Sequence, residues 1–598
     1  MNMKNLIHIF VSLLWCVLFI TSCSKDSIEL SPIDQFSEDV VWKDPALAES
    51  FVNNIYDNMD VSAPDVREAF PCLCDESHVW YNFNADFNNC LITPDNIPSY
   101  FPAIWDPQFK SIRACNVFLE KVDQVVFDNI LTDGKTTKDR LIGEVHFLRA
   151  YYYYTLTTWY GGVPIITNAY ELSDDFKAQR DTYADCIKFI ADECDLAASL
   201  LPDVQSGKNK GRATKGAALA LKSRVLLYAA SDLHNTTVFP GYSNPELIGY
   251  TDGNRTAHWQ AAKDAAKAVI DMGIYSLYKA TPDPADSVAQ NIVDYFLSRD
   301  MTSEDIFIKF YTALSYNNNT ALTSGVSAWH CYGHNTPSGN LVDDYEMKDG
   351  TNFSWLNPTY ATSPYKNREP RFYSTIFYEG AYWKPRPSDL TLIDPIGVIQ
   401  VGFWQKWDNN TNTIITVPGL DTRMSSSDNW NACYGGYYYR KTLDPAINGQ
   451  FFGSDVPLRL FRYGEILLNY AEACIELGQD AEARTYINMI RKRAGMPDVT
   501  ESGAALRDRY RHERRIELAF EDHRIIDVRR WVIGPATYGP VYGVNVLYKL
   551  NPDHTTATVP TITPFLLETR HWINKAYFLP IMRIEMNKND KLIQNPDY

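Results

Sequence analysis

Apolar side chains recur at every third or fourth residue over long stretches of this chain, which is the spacing of one buried helix face. The clearest stripe consists of Leu141, Val145, Leu148, Tyr152, Leu156 and Trp159. It ends at GGVP, residues 161–164, where a glycine followed by a proline terminates a helix. The same reasoning predicts helices over residues 181–200, 214–231 and 259–271. We therefore expect a mostly α-helical protein.

The segment NYAEACIELGQDAEARTYINMIRKRAG, residues 469–495, has the pattern of two helices joined by a short turn. Small side chains at Ala471, Ala473 and Ala483 allow the two helices to approach closely around a turn at 478–480. The spacing is similar to that of a tetratricopeptide repeat, although any helical hairpin has these features. Because helix pairs recur before and after the middle of the chain, we predict a tetratricopeptide-like helix-pair scaffold.

The middle of the chain, residues 280–455, is rich in Asn, Gly, Pro, Ser and aromatic residues and lacks the helical pattern. Short alternating runs such as FYSTIFYEGAYW, residues 372–383, favour strands. Long irregular stretches on a regular scaffold usually carry function. We therefore predict an irregular, loop-rich ligand-binding subdomain with a few short strands at 280–455, between helical regions at 46–279 and 456–598.

The N-terminus has the features of a secretory signal that ends at a cysteine. It carries Lys4 and then an apolar stretch of about fifteen residues, short of the roughly twenty that cross a bilayer. The Ile-Thr-Ser sequence before Cys23 has the spacing of a bacterial lipobox, and a plain signal peptide with a chance cysteine is the alternative. We predict a signal peptide at 1–22, lipidation of Cys23, and a tether at 23–45.

Composition narrows the function further. A formal charge of −17 argues against binding to nucleic acid through the overall field of the protein. Aromatic residues make up 13% of the chain, which serves packing and also suits a surface on which sugar rings lie flat. The 11 cysteines lack zinc-ligand spacing, so we predict no metal and no cofactor, and the sequence singles out no disulfide.

Enzyme motifs are absent from the sequence, which has no G-x-S-x-G, H-E-x-x-H or P-loop. The most charged stretch lies near the C-terminus and contains Glu513, Arg514, Glu517, Glu521, Arg524, Asp527 and Arg530. Paired carboxylates of this kind serve glycoside hydrolysis in other proteins. Because apolar residues are threaded between these charges, we predict instead a partly buried ion-pair network that ties one C-terminal helix to its neighbours.

The first candidate ligand site is CDESHVWYNFN, residues 74–84. Asp75 and Glu76 can accept hydrogen bonds from sugar hydroxyls, and Trp80 or Tyr81 can provide a flat stacking face. The alternative for Trp80 is packing in the core. We expect the two aromatic residues to stand on an exposed surface with the carboxylates at its edge.

The second candidate is SAWHCYGHN, residues 327–335. Trp329, His330 and Tyr332 lie in a Gly- and Asn-containing segment, so we expect a loop with at least one ring facing solvent. His330 and His334 have metal-ligand spacing if the segment is helical, but Gly333 and its polar context favour a loop. We expect Trp329 to share one exposed surface with Trp80.

Eight segments in order, from Glu29 to the last residue, resemble the SusD/RagB family of nutrient-binding lipoproteins. They include NLVDDYEMKDG at 340–350, RLFRYGEILLNYAEA at 459–473 and NKNDKLIQNPDY at 587–598, and the remainder lie at 29–59, 104–122, 143–166, 367–380 and 513–531. The resemblance implies a mostly helical protein with an irregular glycan-binding face. It also places ligand-binding residues in the two candidate stretches.

The same resemblance implies how such a protein works. Members bind oligosaccharides, perform no chemistry on them, and sit over a SusC-like TonB-dependent barrel at the outer face of the outer membrane. The polar residues directly after Cys23 resemble a signal for export to that face. Some members bind peptides instead, so peptide capture is one alternative, and a surface glycoside hydrolase is another.

Overall fold

The structure, a computed structural model, describes residues 38–59, 70–79, 85–97, 105–127, 134–171, 173–428 and 431–598. Helices account for most of its regular elements. The helices of the first half are α1 Glu38–Val41, α2 Pro45–Asp57, α3 Ala85–Asn88, α4 Trp105–Lys121, α5 Thr137–Tyr160, α6 Tyr183–Leu200, α7 Lys215–Ala230, α8 Asp232–Asn235, α9 Arg255–Asp271 and α10 Gln290–Leu297.

The remaining helices include the C-terminal pairs. They are α11 Thr320–Thr323, α12 Gly339–Asp344, α13 Pro358–Thr362, α14 Pro370–Thr375, α15 Tyr463–Glu476, α16 Asp480–Arg493, α17 Gly503–Glu517, α18 Arg524–Arg530, α19 Gly534–Thr537 and α20 Arg583–Lys588. Single 3₁₀ turns connect several of them. They lie at Phe70–Leu73, Val122–Gln124, Gly207–Asn209, Pro245–Leu247, Ser327–Trp329 and Asn574–Tyr577.

The long helices form one continuous stack, in which α4, α5, α6, α7, α9, α15 and α16 each pack on the next. Their apolar faces make the larger hydrophobic core, to which the predicted stripe of α5 contributes all six of its residues. The mostly helical, helix-pair scaffold predicted from the sequence is confirmed.

Local signals explain where these helices begin and end. Thr136 and Asp139 form a capping box at the start of α5, each side chain accepting a hydrogen bond from the backbone N–H of the other. Gly161 follows the last turn of α5 with φ +76°, and a Cβ there would lie 2.4 Å from the carbonyl oxygen of Leu247. Gly478, at φ +73°, makes the turn between α15 and α16.

The strands are short and form four small sheets. They are β1 Ser77–Val79, β2 Asp305–Lys309, β3 Asn335–Pro337, β4 Ile376–Phe377, β5 Phe403–Asp408, β6 Thr413–Pro418, β7 Tyr438–Tyr439, β8 Leu458–Arg462, β9 Pro540–Tyr548 and β10 Thr561–Thr569. The pairs β1–β3, β2–β8 and β4–β7 are antiparallel, and the fourth sheet has the order β10-β9-β5-β6. Because β9 and β10 follow α19, this sheet joins the irregular stretch to the C-terminal region.

The strand expected over 372–383 is largely wrong. Residues 370–375 form α14, and only Ile376 and Phe377 pair as a strand. Pro370 stands at the first helical position, where its fixed φ favours a helix. The segment is buried on both sides. Its apolar residues therefore do not mark one face of a strand, although they alternate as they would in one.

The predicted ion-pair network is present and is fully buried. Glu517 accepts hydrogen bonds from Arg462 Nη1 at 2.8 Å, from Arg371 Nη1 at 3.0 Å and from Arg493. Arg371 also donates to Glu513 at 2.6 Å. The cations therefore come from other segments of the chain and not from the neighbouring arginines of the same helix.

One detail of that prediction is wrong, because the charged stretch is two helices. α17 ends at Glu517 and α18 begins at Arg524, and Phe520 and Asp522 between them have φ of +62° and +63°. The break turns α18 away from α17, so Arg524 and Arg530 reach different partners from those of Glu517.

The nine cysteines within the described ranges, among them Cys186, Cys194 and Cys474, are free and buried. Burial raises the pKa of the Cys186 thiol to about 12, so it stays protonated. Among the helices that the structure describes, none combines the length and apolar character needed to cross a membrane.

Candidate functional site

The two stretches that the sequence selects as ligand sites lie side by side in the structure. β1 from the first stretch pairs antiparallel with β3, which includes the last residue of the second stretch, so that Val79 lies opposite Asn335 and His78 opposite Thr336. Thr336 Oγ1 donates a 2.9 Å hydrogen bond to the carbonyl oxygen of His78. The fold thus brings two segments about 260 residues apart in sequence together in one small sheet.

Trp80 and Tyr81 lie outside the described residues. Their expected exposure and stacking role stay predictions. The described chain leads directly to them, because Val79 is the last residue of β1 and its opposite neighbour Asn335 follows His334.

Asp75 is not at the edge of an open surface, and that expectation is wrong. Its side chain is buried and forms two 2.8 Å hydrogen bonds with Arg524 and a 2.8 Å ion pair with Arg515. Burial alone raises the pKa of Asp75, but the charges of Arg515 and Arg524 outweigh it and hold the pKa well below its usual range. The carboxylate oxygens are therefore used inside the protein.

Glu76 is also buried, with 1% of its surface exposed, so its expected role as a surface hydrogen-bond acceptor is wrong as well. Its Oε1 accepts a 2.9 Å hydrogen bond from the backbone N–H of Phe520, while Oε2 has no hydrogen-bond partner among the described residues. Burial raises the pKa of Glu76 to about 8, so the carboxyl is protonated at neutral pH. Both carboxyls fix the base of β1 against the break between α17 and α18.

Trp329 does not present an exposed ring, contrary to expectation. Only 5% of its surface is exposed, its Nε1 donates a 3.0 Å hydrogen bond to the carbonyl oxygen of Pro385, and the guanidinium of Arg386 lies 3.8 Å from its ring centroid. Residues 385–386 belong to another loop and cover Trp329, so an irregular segment is buried here. Trp329 is part of the second hydrophobic core.

His330 and Tyr332 are partly exposed and lie in a loop, as expected. His330 has φ +59° and places Nδ1 2.9 Å from Asp428 Oδ2 and Nε2 3.3 Å from Asp389. The ring of Tyr332 lies 5.1 Å from that of His334. Within the described ranges no group of three His, Cys, Asp or Glu side chains is arranged to hold a metal ion.

Three side chains that the sequence did not single out lie beside β1. The ring of His78 meets the ring of Tyr434 edge-on at 6.1 Å, and His78 Nδ1 lies 3.3 Å from Glu568 Oε2. The guanidinium of Arg423 lies 3.9 Å from the centroid of the Tyr434 ring. Tyr434 is 39% exposed, which makes it the exposed ring that Trp329 was expected to be.

We call this surface the β1–β3 edge, defined by Tyr434 and Glu568, which contact His78 of β1, and by Tyr332 and His334, which lie three residues and one residue before β3. His78 itself is buried, with 7% of its surface exposed. Burial raises the pKa of Glu568, but Arg570 nearby lowers it to about 2, so the edge carries a carboxylate at neutral pH. The exposed ring of Tyr434, the partly exposed Tyr332 and His334, and the carboxylate of Glu568 offer stacking faces and several hydrogen-bonding groups. The signal for Tyr434 in the sequence was its neighbourhood, CYGG, where glycines let other chain segments approach closely.

Two open cavities lie elsewhere on the described surface. One of about 220 Å³ lies between α4 and α20 and is lined by residues that include Trp105, Phe109, Arg113 and Phe176. The other, of about 380 Å³, lies between α2 and β2. Of the residues expected to bind ligand, the five that the structure describes (Asp75, Glu76, Trp329, His330 and Tyr332) line neither cavity.

Comparison with known proteins gives one consistent result. Residues 303–598 match the model of the SusD family, and residues 30–227 match a model described as starch-binding associating with outer membrane. SusD-like protein P38 of Formosa agariphila is 22% identical over 577 residues, which cover 91% of this chain and 95% of that protein. SusD-like protein P2 of the same organism is 23% identical over 612 residues, covering 97% and 98%.

Solved structures share the fold over nearly the whole chain. A SusD-like protein from Bacteroides fragilis is 27% identical with a TM-score of 0.71, and the match covers 95% of this chain and 100% of that one. A SusD-like carbohydrate binding protein from the same species is 22% identical with a TM-score of 0.68, covering 93% and 100%. The helix stack and the small sheets are therefore one shared architecture.

Proposed function

This chain belongs to the SusD/RagB family, and from that membership we propose that it captures oligosaccharides at the cell surface and passes them to a SusC-like TonB-dependent transporter. The protein would be held at the outer membrane by lipid on Cys23, which lies outside the described residues. It would bind its ligand and leave it chemically unchanged. The matches to a starch-binding family model and to a carbohydrate binding protein of Bacteroides fragilis support a glycan as the ligand.

The observation that carries the proposal is the pairing of β1 with β3. It sets the exposed ring of Tyr434 close to the point where the chain continues into Trp80 and Tyr81. The described rings of Tyr434 and Tyr332, with Glu568 and the imidazole of His334, provide the kind of groups on which a sugar face can stack and with which its hydroxyls can hydrogen-bond. We place the glycan there.

The test is isothermal titration calorimetry of the purified protein against a panel of neutral and charged oligosaccharides. For a ligand that binds, Tyr434→Ala and Trp80→Ala are each expected to weaken affinity by a few-fold to about tenfold, the loss of roughly 0.5–1.5 kcal/mol of ring contact. Phe176→Ala is the matched control. Phe176 is also an exposed aromatic residue, at 56%, but it lies away from the β1–β3 edge, in the cavity between α4 and α20. If Phe176→Ala loses as much affinity, or if the double variant Trp80→Ala/Tyr434→Ala loses none, the ligand binds elsewhere.

Capture without chemistry is tested with the same panel by measuring the release of reducing ends. Any enzyme-dependent release would favour a glycoside hydrolase. Binding of peptides but of no glycan would favour peptide capture by the same fold.

The lipid anchor is tested with Cys23→Ala. The wild-type protein is expected to incorporate labelled palmitate and to sediment with outer membranes, and the variant to do neither at equal expression in cells that lack the transporter. Unchanged membrane retention of the variant there would contradict the lipobox interpretation.

A further inference from the structure

The cavity of about 380 Å³ between α2 and β2 has a different character from the β1–β3 edge. Its volume falls in the range of about 300–1,000 Å³ that is usual for small-molecule sites. Among the described residues, four cationic side chains and one carboxylate, that of Asp57, line it, in a protein whose net charge is −17. The four cations are Lys208, Lys210, Arg212 and Lys309.

Aromatic rings make up much of the remaining wall. Tyr56, Phe310 and Tyr316 line the cavity, and Tyr316 is 45% exposed. The cations lie near these rings: Lys210 Nζ is 5.7 Å from the centroid of Phe310 and Lys309 Nζ is 5.5 Å from that of Tyr316. Charge and flat apolar surface therefore face the same space.

The loop that carries three of the cations is fitted closely to this wall. Gly211 has φ +89°, and a Cβ there would lie 2.9 Å from Cδ2 of Phe310. Only glycine combines that backbone conformation with that approach, so the loop lies directly against the ring. The position of the lysines relative to the rings is thus set by the backbone.

Three of the four cations, Lys208, Lys210 and Arg212, have acidic neighbours that differ in how firmly they hold them. Arg212 is mostly buried and donates a 2.8 Å hydrogen bond to Glu144, which has no exposed surface, so this pair is structural. Lys210 pairs with Asp300, whose side chain is 70% exposed, and Lys208 is 82% exposed and 3.6 Å from Glu49. The exposed Lys210–Asp300 pair contributes only about 0–1 kcal/mol, and Lys208 is solvated and beyond hydrogen-bond distance of Glu49, so an anion can compete for both lysines.

We propose that this cavity binds a sugar unit that carries a negative charge, a carboxylate or a sulfate ester, with Lys208 and Lys210 on the anionic group and the ring of Tyr316 against the sugar. That the ligand is a sugar rests on the proposed function, whereas its negative charge rests on this cavity alone. The site would lie apart from the β1–β3 edge and would select for acidic glycans.

The experiment is calorimetric titration of the full protein with trigalacturonate and with its methyl ester, which has nearly the same shape and no charge. Wild type is expected to bind the acid more tightly than the ester, and less tightly as salt is raised to about 0.3 M. Lys208→Gln/Lys210→Gln is expected to weaken binding of the acid roughly tenfold, the size of one hydrogen bond to a charged group, and to bring its affinity near that of the ester.

Lys188→Gln/Lys267→Gln is the matched control, since these lysines form exposed pairs within α6 and α9. An equal loss in the control, or equal binding of acid and ester by wild type, would overturn the proposal. Binding of the acid that Tyr434→Ala abolishes and the Lys208/Lys210 variant retains would also overturn it, while leaving the proposed function intact. If no oligosaccharide of any kind binds, both fail.

Discussion

Asp75 and Arg524 are 449 residues apart in sequence and form a double hydrogen bond, Nε to Oδ1 and Nη2 to Oδ2, each 2.8 Å long. Both side chains are buried. The pair fixes the segment before β1 to the start of α18, and β1 in turn sets the direction in which the chain continues to Trp80. The position of the candidate ligand edge therefore depends on an ion pair inside the protein.

Asp75→Ala is expected to lower the free energy of unfolding by about 3–5 kcal/mol, because Arg524 would remain buried without its carboxylate, whereas Arg515 would keep its ion pair with Asp344 at 2.7 Å. Chemical denaturation measures this. Asp192→Ala, which removes an exposed carboxylate paired with Lys188, is the control and should change stability by no more than about 0.5 kcal/mol. If Asp75→Ala instead left stability unchanged and abolished glycan binding, the carboxylate would belong to the ligand site.

Glu517→Ala tests the centre of the buried network. Arg371, Arg462 and Arg493 donate hydrogen bonds to Glu517. Because these arginines are buried, water cannot take the place of the Glu517 carboxylate when it is removed. We expect a loss of about 3–5 kcal/mol and a lower melting temperature, with unchanged glycan affinity of the folded protein. Calorimetric melting and titration on the same sample separate the two effects, and lost binding at normal stability would count against a structural role.

Trp329→Ala is expected to act on stability and not on binding. Removing a buried indole leaves a cavity beside Arg386 and frees the carbonyl oxygen of Pro385, at a cost of about 3–5 kcal/mol. Trp329→Phe keeps most of the ring and loses the hydrogen bond, so it should cost about 1 kcal/mol beyond its smaller size. Weaker glycan binding by Trp329→Ala at an unchanged melting temperature would return this ring to the ligand site.

The sequence predicts the helices well because their signals are local. Each signal, such as the stripe of α5, the turn at Gly478 or the cap at Thr136, involves residues close to one another in sequence. The start of α9 lies only four residues before Trp259, where the sequence predicts it. Charge also predicts that the C-terminal carboxylates are paired. It does not reveal which cations pair with them, because Arg371 and Arg462 come from distant segments.

The candidate site is predicted less completely for the same physical reason. The two segments that the sequence selects meet at β1 and β3, but the exposure of each side chain depends on what covers it. Pro385 and Arg386 cover Trp329, and Arg524 binds the carboxylate of Asp75. The residues close in sequence to Trp329 and Asp75 do not predict these contacts. Tyr434 is 39% exposed although Val544 approaches the glycines after it closely, and only the tertiary structure shows that its ring is left uncovered.

The last prediction concerns pH and Glu76, whose pKa burial raises to about 8. The same carboxyl titrates near about 4.3 in an unfolded chain. Between these two values the folded protein holds a proton that the unfolded chain has released. Stability from Glu76 is therefore fully present below pH about 4.3 and is lost progressively as pH rises to about 8, a change on the order of a few kcal/mol.

Glu76→Gln isolates this effect, because the amide keeps the acceptor for the N–H of Phe520 and cannot ionise. Glu379, Asp343 and Asp522 also have raised pKa values of about 7, so the wild-type profile alone mixes several groups. These groups are common to both proteins, and the difference in melting temperature reports Glu76. We expect the variant to match wild type near pH 4, to gain on it from there up to pH about 8, and to hold a constant lead above that. A difference that does not vary with pH would mean that Glu76 stays ionised in the folded protein, stabilised by Arg515 and Lys441, the two nearby cations that lower its pKa.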